Sequence, residues 1–455
     1  MNFIKKIGHV FKRLFLSFFN YQKKAFTQKN LFHTDNLFAA LLIFGAFFLL
    51  GKIAENFRIL DPLGDAFEDV EFTDVVFSQL DKNENKRNSL KKSPEIIIVN
   101  IGNLQRPYIA TLVGKINEFD PKVIGLDVIF QKEKGPEIDE WTEQNFSKVK
   151  NLVFGAIGQG YDVYRNTYDS ILFSLPNFIR HGSSGDVKMK MQNDFLVARK
   201  FHTYTYVHKY DSLISSFPVK IAEVYNPSSI KKLKKRGNAF ERINYIGNID
   251  IYGYDTRFSN IPDSKPLPKQ RYFPTINYTR LLEPNHDYYL DSSSAYDMFH
   301  NKIVLLGYVG DPIYKAEGED KFYTPLNEKY IGKTDRDMFG VVVHANAIRT
   351  ILDEDYINEM PDWLMHVIGI LFVWLTLANF RPLYFDHKIW YDGVSKVLGF
   401  IITLLIIFVI GFVFVHFDYE LKFGSIYFAC ILLAGDFLEI YYGMIKNVID
   451  LLFKK

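Results

Sequence analysis

The stretch IIIVNIGNLQRPYIATLVGKINEFDPKVIGLDVIF, residues 96–130, decides the fold. It opens on one apolar run, 96–101, and ends in a second, 123–127, both rich in Ile, Val or Leu. A strand that is apolar at every position is one buried on both faces, as strands of parallel sheets are. Between the runs, Leu112, Ile116 and Phe119 share a stripe at helical spacing within 108–119. Asp120-Pro121 ends that helix, because proline disfavours helical backbone in the residue before it. The unit reads as strand, helix, strand, with a right-handed parallel crossover as its expected geometry.

Working outward, 152–156 and Ile303–Gly307 repeat the buried-strand pattern. Gly340–Leu352 gives a second helix, with His344, Ala347, Ile348 and Ile351 along one face. The domain is read as α/β with a mostly parallel sheet. The segment 157–300, rich in Lys, Asn, Tyr and Pro, reads as excursions and loops over that sheet.

Four apolar runs flank this domain, one before it at 37–54 and three after it at 363–380, 397–417 and 425–444. Each is near the ~20 residues that a helix needs to cross a bilayer. The first follows a basic segment more than 30 residues long and precedes no small-residue cleavage pattern, so it reads as an uncleaved anchor. Lys5, Lys6, Lys12, Arg13, Lys23, Lys24 and Lys29 precede it. Arg381, Lys388 and Lys396 fill the loop after the second run, and Lys446, Lys454 and Lys455 the tail. These segments share one side if both termini are cytoplasmic, which leaves 55–362 outside the cell membrane. Residues 3–19 alternate Phe3, Ile7, Val10, Phe11, Leu14, Phe15 and Phe18 with basic positions, the pattern of a helix lying on lipid or docked on a partner.

The net charge of +2 argues against nucleic acid as a partner, and the single cysteine, Cys430, excludes a disulfide framework or a cysteine-rich metal centre. Neither a cofactor motif nor metal-ligand spacing such as H-E-x-x-H occurs, and no G-x-S-x-G marks a nucleophile. No metal, cofactor or catalytic activity is expected.

Several motifs together resemble one family. Residues 96–130, FPTINYTRLLEP at 273–284, KIVLLGYVGDP at 302–312, DKFYTPL at 320–326 and FGVVVHANAIRTIL at 339–352 occur in an order similar to that of the type-two CHASE domain. That family is an extracytoplasmic sensory module of bacterial receptors, usually with one membrane helix before it and three after. The resemblance implies ligand sensing, signalling and a homodimer. The sequence departs from the family pattern at Asn100 and Gly102, where acidic and serine residues are usual, and at Leu104 and Gln105, where tryptophan is usual. Only residues 445–455 follow the last apolar run, so the expected output is a separate membrane or cytoplasmic signalling protein. The competing reading is a scaffold subunit of a cell-envelope complex with no small-molecule ligand.

Candidate ligand-binding residues are Asp127, Asp320, Thr324, His344 and Asn346. Asp127 ends a buried strand, where open α/β sheets bind ligands, although a carboxylate capping the next turn is the plainer use. Asp320 and Thr324 lie on a loop near the strand that ends at Gly307, where loop-fixing hydrogen bonds are the alternative. His344 and Asn346 lie near the start of a helix, and a hydrogen-bonded core histidine is the ordinary use of such a position. Asp436 and Glu439, three apart in the last apolar run, are candidates for docking a partner helix that carries Arg or Lys, with snorkelling or an internal hydrogen bond as the alternatives. The basic run KKLKKR, 231–236, is either a solvated helix face or loop, or a surface for lipid headgroups or anionic polymers.

Overall fold

The computed structural model describes residues 27–56, 74, 96–192, 197–249, 271–285, 289–310, 320–327, 336–386, 388–423 and 425–446. The amphipathic pattern at 3–19 lies outside them. The chain divides into two compact units, Phe72–Ile357 and the apolar helices that flank it in sequence.

The strands of the first unit that carry the argument are β1 Ile96–Asn100, β2 Val123–Leu126, β3 Leu152–Asp162, β4 Thr167–Leu172, β5 Ser183–Asp186, β6 Val197–His202, β7 Tyr204–Val207, β8 Ser212–Ser215, β9 Phe240–Arg242, β10 Thr275–Asn277 and β11 Ile303–Gly307. Its main helices are α1 Arg106–Asn117, α2 Pro136–Phe146, α3 Phe217–Tyr225, α4 Ile230–Arg236, α5 Ser292–Phe299 and α6 Gly340–Leu352. The large sheet runs β10-β1-β11-β2-β3-β4-β7-β8, with β5 also on β3. Its strands from β10 to β3 are parallel, as is β5, while β4 pairs with the far half of β3 antiparallel.

The sheet is mostly parallel, as the sequence reading has it, but β1 and β2 are not neighbours. β11, from far along the chain, lies between them, with Ile98 opposite Leu305 and Leu305 opposite Gly125. Every residue of β1, β2 and β11 is buried. Alternation divides them between two layers. Ile97, Val99, Ile124, Leu126, Val304 and Leu306 meet Ile109, Leu112 and Ile116 of α1, Phe146 of α2 and Phe299 of α5. The opposite face packs on α3 and α6. Burying each large aliphatic side chain there stabilises the fold by about 1.5–3 kcal/mol before entropy is counted. Gly307 ends β11 against α6, where an added Cβ would come 2.7 Å from Cβ of Val341, so the helix approaches only because no side chain is there.

The region 157–300 is more structured than its composition suggests. Besides β4, β5, β7 and β8 it contains an antiparallel layer in which β6 lies between β9 and Lys190–Gln192. Glu241 of β9 lies opposite Phe201 of β6. Two fully buried guanidinium groups, Arg199 on β6 and Arg242 on β9, converge on buried Asp74, at 2.7 and 3.4 Å. Polar composition there marks ion pairs under a sheet, a pattern that loop statistics cannot distinguish from solvent exposure. At the start of α1, buried Arg106 bonds Asp139 of α2 and lies 5.2 Å over the ring of Phe130.

In the other unit, two helices, Asp362–Asp386 and Tyr391–Phe417, are long and apolar enough to cross a membrane. The last apolar run is not one straight helix: Ile426–Leu432 and Ala434–Ile445 are bent by 60° and form a third span if they act as one. The first apolar run is helical over Thr34–Asn56 and packs on Asp362–Asp386. Asp35 accepts hydrogen bonds from the Tyr441 and Tyr442 hydroxyls and from Lys446 Nζ at 2.6 Å, tying that helix to the end of the last one.

Asp74→Ala is expected to destabilise the chain by about 3–5 kcal/mol, because it leaves two buried cations short of their shared anion. Thermal unfolding of the full chain in detergent measures this. A loss below about 1 kcal/mol, the range of an exposed pair, would contradict the placement.

Candidate functional site

The carboxyl ends of β1, β11 and β2 open on one edge of the sheet, the edge at which open α/β sheets offer a crevice. Asn100, the last residue of β1, fastens two loops there. Its Oδ1 accepts from the backbone N–H groups of Val309 at 2.8 Å and Gly102 at 3.0 Å, and its Nδ2 donates to the Gly310 carbonyl at 2.9 Å. Gly310 takes φ +96°, a conformation that costs a side-chain-bearing residue energy and glycine almost none.

Asp127 follows β2 and donates its backbone N–H to Leu306 of β11. Alternation along β2 puts its side chain on the α3–α6 face, with Gly125. Asp320 lies beside the start of α6: its carbonyl accepts from the Gly340 N–H at 3.0 Å, and a Cβ at Gly340 would come 3.1 Å from its Oδ1. The positive end of the helix dipole favours a carboxylate in that position.

The two carboxyl groups interact. Burial first, and the Asp320 charge second, push Asp127 up to about 8 from an ordinary value of 3.8. Burial pushes Asp320 up to about 6, although the residue keeps open surface on one side. At neutral pH the pair therefore carries one proton, on Asp127, next to a largely ionised Asp320. Such a pair can donate a hydrogen bond, accept one, or release its proton to admit a cation.

The other candidates from the sequence serve the fold. Thr324 is buried and donates both its N–H, at 2.8 Å, and its hydroxyl, at 2.5 Å, to Asp337, fixing the loop after Asp320. Asn346 is fully engaged: it accepts from the N–H groups of Ile246 and Gly247 and donates to the carbonyls of Gly247 and Val342. His344 is buried with its ring centroid 5.2 Å from that of Phe217, and burial followed by the neighbouring His202 pushes its pKa down to about 3. Asp436 stands in the first turn after the bend in the last helix, 3.8 Å from Lys396, and Glu439 is exposed.

One cluster carries no signal in the sequence. Asp186 at the end of β5 lies 2.9 Å from His202 Nε2 of β6, accepts the N–H groups of Gly158 and Lys188 at 3.1 Å, and takes a hydrogen bond from the Tyr168 hydroxyl. Burial alone would raise the Asp186 pKa, but the hydrogen bond and charge of His202, with the other donors, hold it below the ordinary value. His344 adjoins this group, and all four residues are buried. The pairing of β3 with β5 and β4 brings Asp186 and Tyr168 together, and His202 and His344 reach them from β6 and α6. Among the described residues, no set of three or more His, Cys, Asp or Glu side chains could hold a metal ion.

A mostly parallel sheet joined in sequence to two helices long and apolar enough to cross a membrane fits a globular domain with a membrane anchor. The model of the CHASE2 domain family matches residues 48–380, most of the chain, and the chain belongs to that family, whose domains are extracytoplasmic sensors. No curated protein and no solved structure matches it.

The acid pair generates a pH dependence. A folded pKa raised above the unfolded one means that the folded state keeps a proton which the unfolded chain releases above about pH 4. The associated stability is complete at low pH and is lost as the pH climbs through 3.8 to about 8. Asp127→Asn, which mimics the neutral form, should flatten the fall in melting temperature between pH 5 and pH 8.5 and stabilise the protein at pH 8.5 by at least about 1.4 kcal/mol, the equivalent of one pKa unit. Equal slopes for the variant and the wild type would contradict a protonated Asp127 at neutral pH.

Proposed function

We propose that the chain is a membrane-anchored extracytoplasmic sensor that binds a small ligand at the sheet edge around Asp127 and Asp320 and signals through a separate partner protein. The observation that carries this reading is the acid pair, poised to exchange a proton for a ligand contact at the carboxyl edge of a CHASE2 domain. The reading takes the helix over Thr34–Asn56 as a first span and the bent C-terminal pair as a fourth, with both termini cytoplasmic and residues 55–362 outside. It takes the domain to be a non-enzymatic receptor. A ligand acts only by binding two arrangements of the domain unequally. α6 is suited to carry that difference, because it starts at Gly340, against Asp320, and ends ten residues before Asp362. Asp436 and Glu439, on the stretch after the bend, would receive a cationic partner helix.

A reporter that is active only outside the cytoplasm, fused near Lys188, should be active, and an inactive reporter there would overturn the receptor reading. Purified chain screened against small molecules should gain thermal stability with a ligand whose effect Asp127→Asn removes. Stoichiometric recovery in an envelope complex with no such ligand would favour the scaffold. Asp436→Asn combined with Glu439→Gln should reduce co-purifying partner severalfold, and unchanged recovery would exclude that docking face.

A further inference from the structure

We propose that α4, the basic helix at 230–236, is a binding face for anionic phospholipid headgroups next to the point at which the chain enters the membrane. The inference rests on the reading of Asp362–Asp386 as a membrane span. Ile230 and Leu233 seat the helix in the domain, and Lys231, Lys232, Lys234 and Lys235 are exposed. Nearby acids match only some of this charge. Glu354 pairs with Lys232 at 3.5 Å, Glu223 with Lys220 at 2.6 Å and Lys234 at 3.7 Å, and Glu241 with Arg236 at 2.7 Å. Lys231 and Lys235 make no ion pair among the described residues. They stand four apart, on one face of the helix, where like charges repel each other and an external anion relieves the repulsion.

The helix is fastened to the segment that leads into the membrane. Lys232 Nζ donates to the Glu354 carbonyl at 2.9 Å, Arg236 Nη2 donates to the Ile357 carbonyl at 3.4 Å, and both cations lie over the Tyr356 ring, at 5.6 and 4.9 Å. Only Asn358, Glu359, Met360 and Pro361 separate Ile357 from Asp362, the first residue of the apolar helix. Fully extended, that connection reaches about 18 Å at most, so covalent linkage alone keeps Ile357, the residue that Arg236 bonds, within that distance of the start of the helix. Trp363, 67% exposed in the first turn, is a residue type that settles at the headgroup level. A lysine at an anionic surface gains binding of about fivefold, an attraction that salt confines to about 8 Å.

The test uses the full chain in nanodiscs of phosphatidylcholine alone or with added phosphatidylglycerol, pulsed with an amine-reactive reagent and read by mass spectrometry. Lys231 and Lys235 should label on the order of fivefold more slowly with phosphatidylglycerol. High salt should abolish the difference, and exposed Lys148 should label equally in both. Equal labelling of Lys231 and Lys235 in the two lipids would overturn the proposal while leaving the sensor reading intact. Equal protection by soluble polyphosphate in phosphatidylcholine discs would overturn lipid as the ligand. A chain that does not enter the discs at all would overturn the membrane anchor, and this inference with it.

Discussion

The pairing of β11 between β1 and β2 is the constraint on which the rest of the domain depends. Two strands close in sequence are held apart by a third from far along the chain, and five fully buried residues on β11 make that arrangement stable. The long intervening segment costs less than its length suggests, because loop-closure entropy grows only with the logarithm of loop size. Once β11 is in place, its end at Gly307 admits α6, the following turn is caught by Asn100, and Asp127 is held by its N–H on Leu306. The acid pair is thus a consequence of strand order.

That origin explains how binding at one edge could be felt elsewhere. Asp127 belongs to the sheet, whereas Asp320 belongs to the loop that meets the first turn of α6. A ligand that changes the protonation of the pair changes the attraction between sheet and helix. Buried layers packed as closely as Gly307 on Val341 shift between discrete arrangements more readily than they deform.

The centre of the sheet was legible because β1, β2, β11 and the start of β3 are runs of mostly apolar residues, and α6 because its stripe runs from Gly340 to Leu352, the limits the structure gives. The resemblance found in the motif order agrees with the family match over residues 48–380. The place of β11 was not legible, since periodicity specifies burial but not the neighbour. Of the residues singled out as candidates for binding, only Asp127 and Asp320 come together with carboxyl groups in contact with each other's field. Thr324 and Asn346 are engaged by internal hydrogen bonds and His344 is buried against Phe217, which only the geometry reveals. Asp186, His202 and Tyr168 lie on strands whose pairing no local pattern encodes, and Asp74 lies in a stretch with no strong periodicity. The bend at Leu433 was hidden because an apolar run reads the same whether straight or broken.

Infrared titration of the carboxyl groups is the most direct test of the claim that strand order buries Asp127 near Asp320 and keeps it protonated at neutral pH. The wild-type minus Asp127→Asn difference should contain a protonated carboxyl at pH 7 that disappears only near pH 8. Complete ionisation of that group by pH 5 would contradict the account.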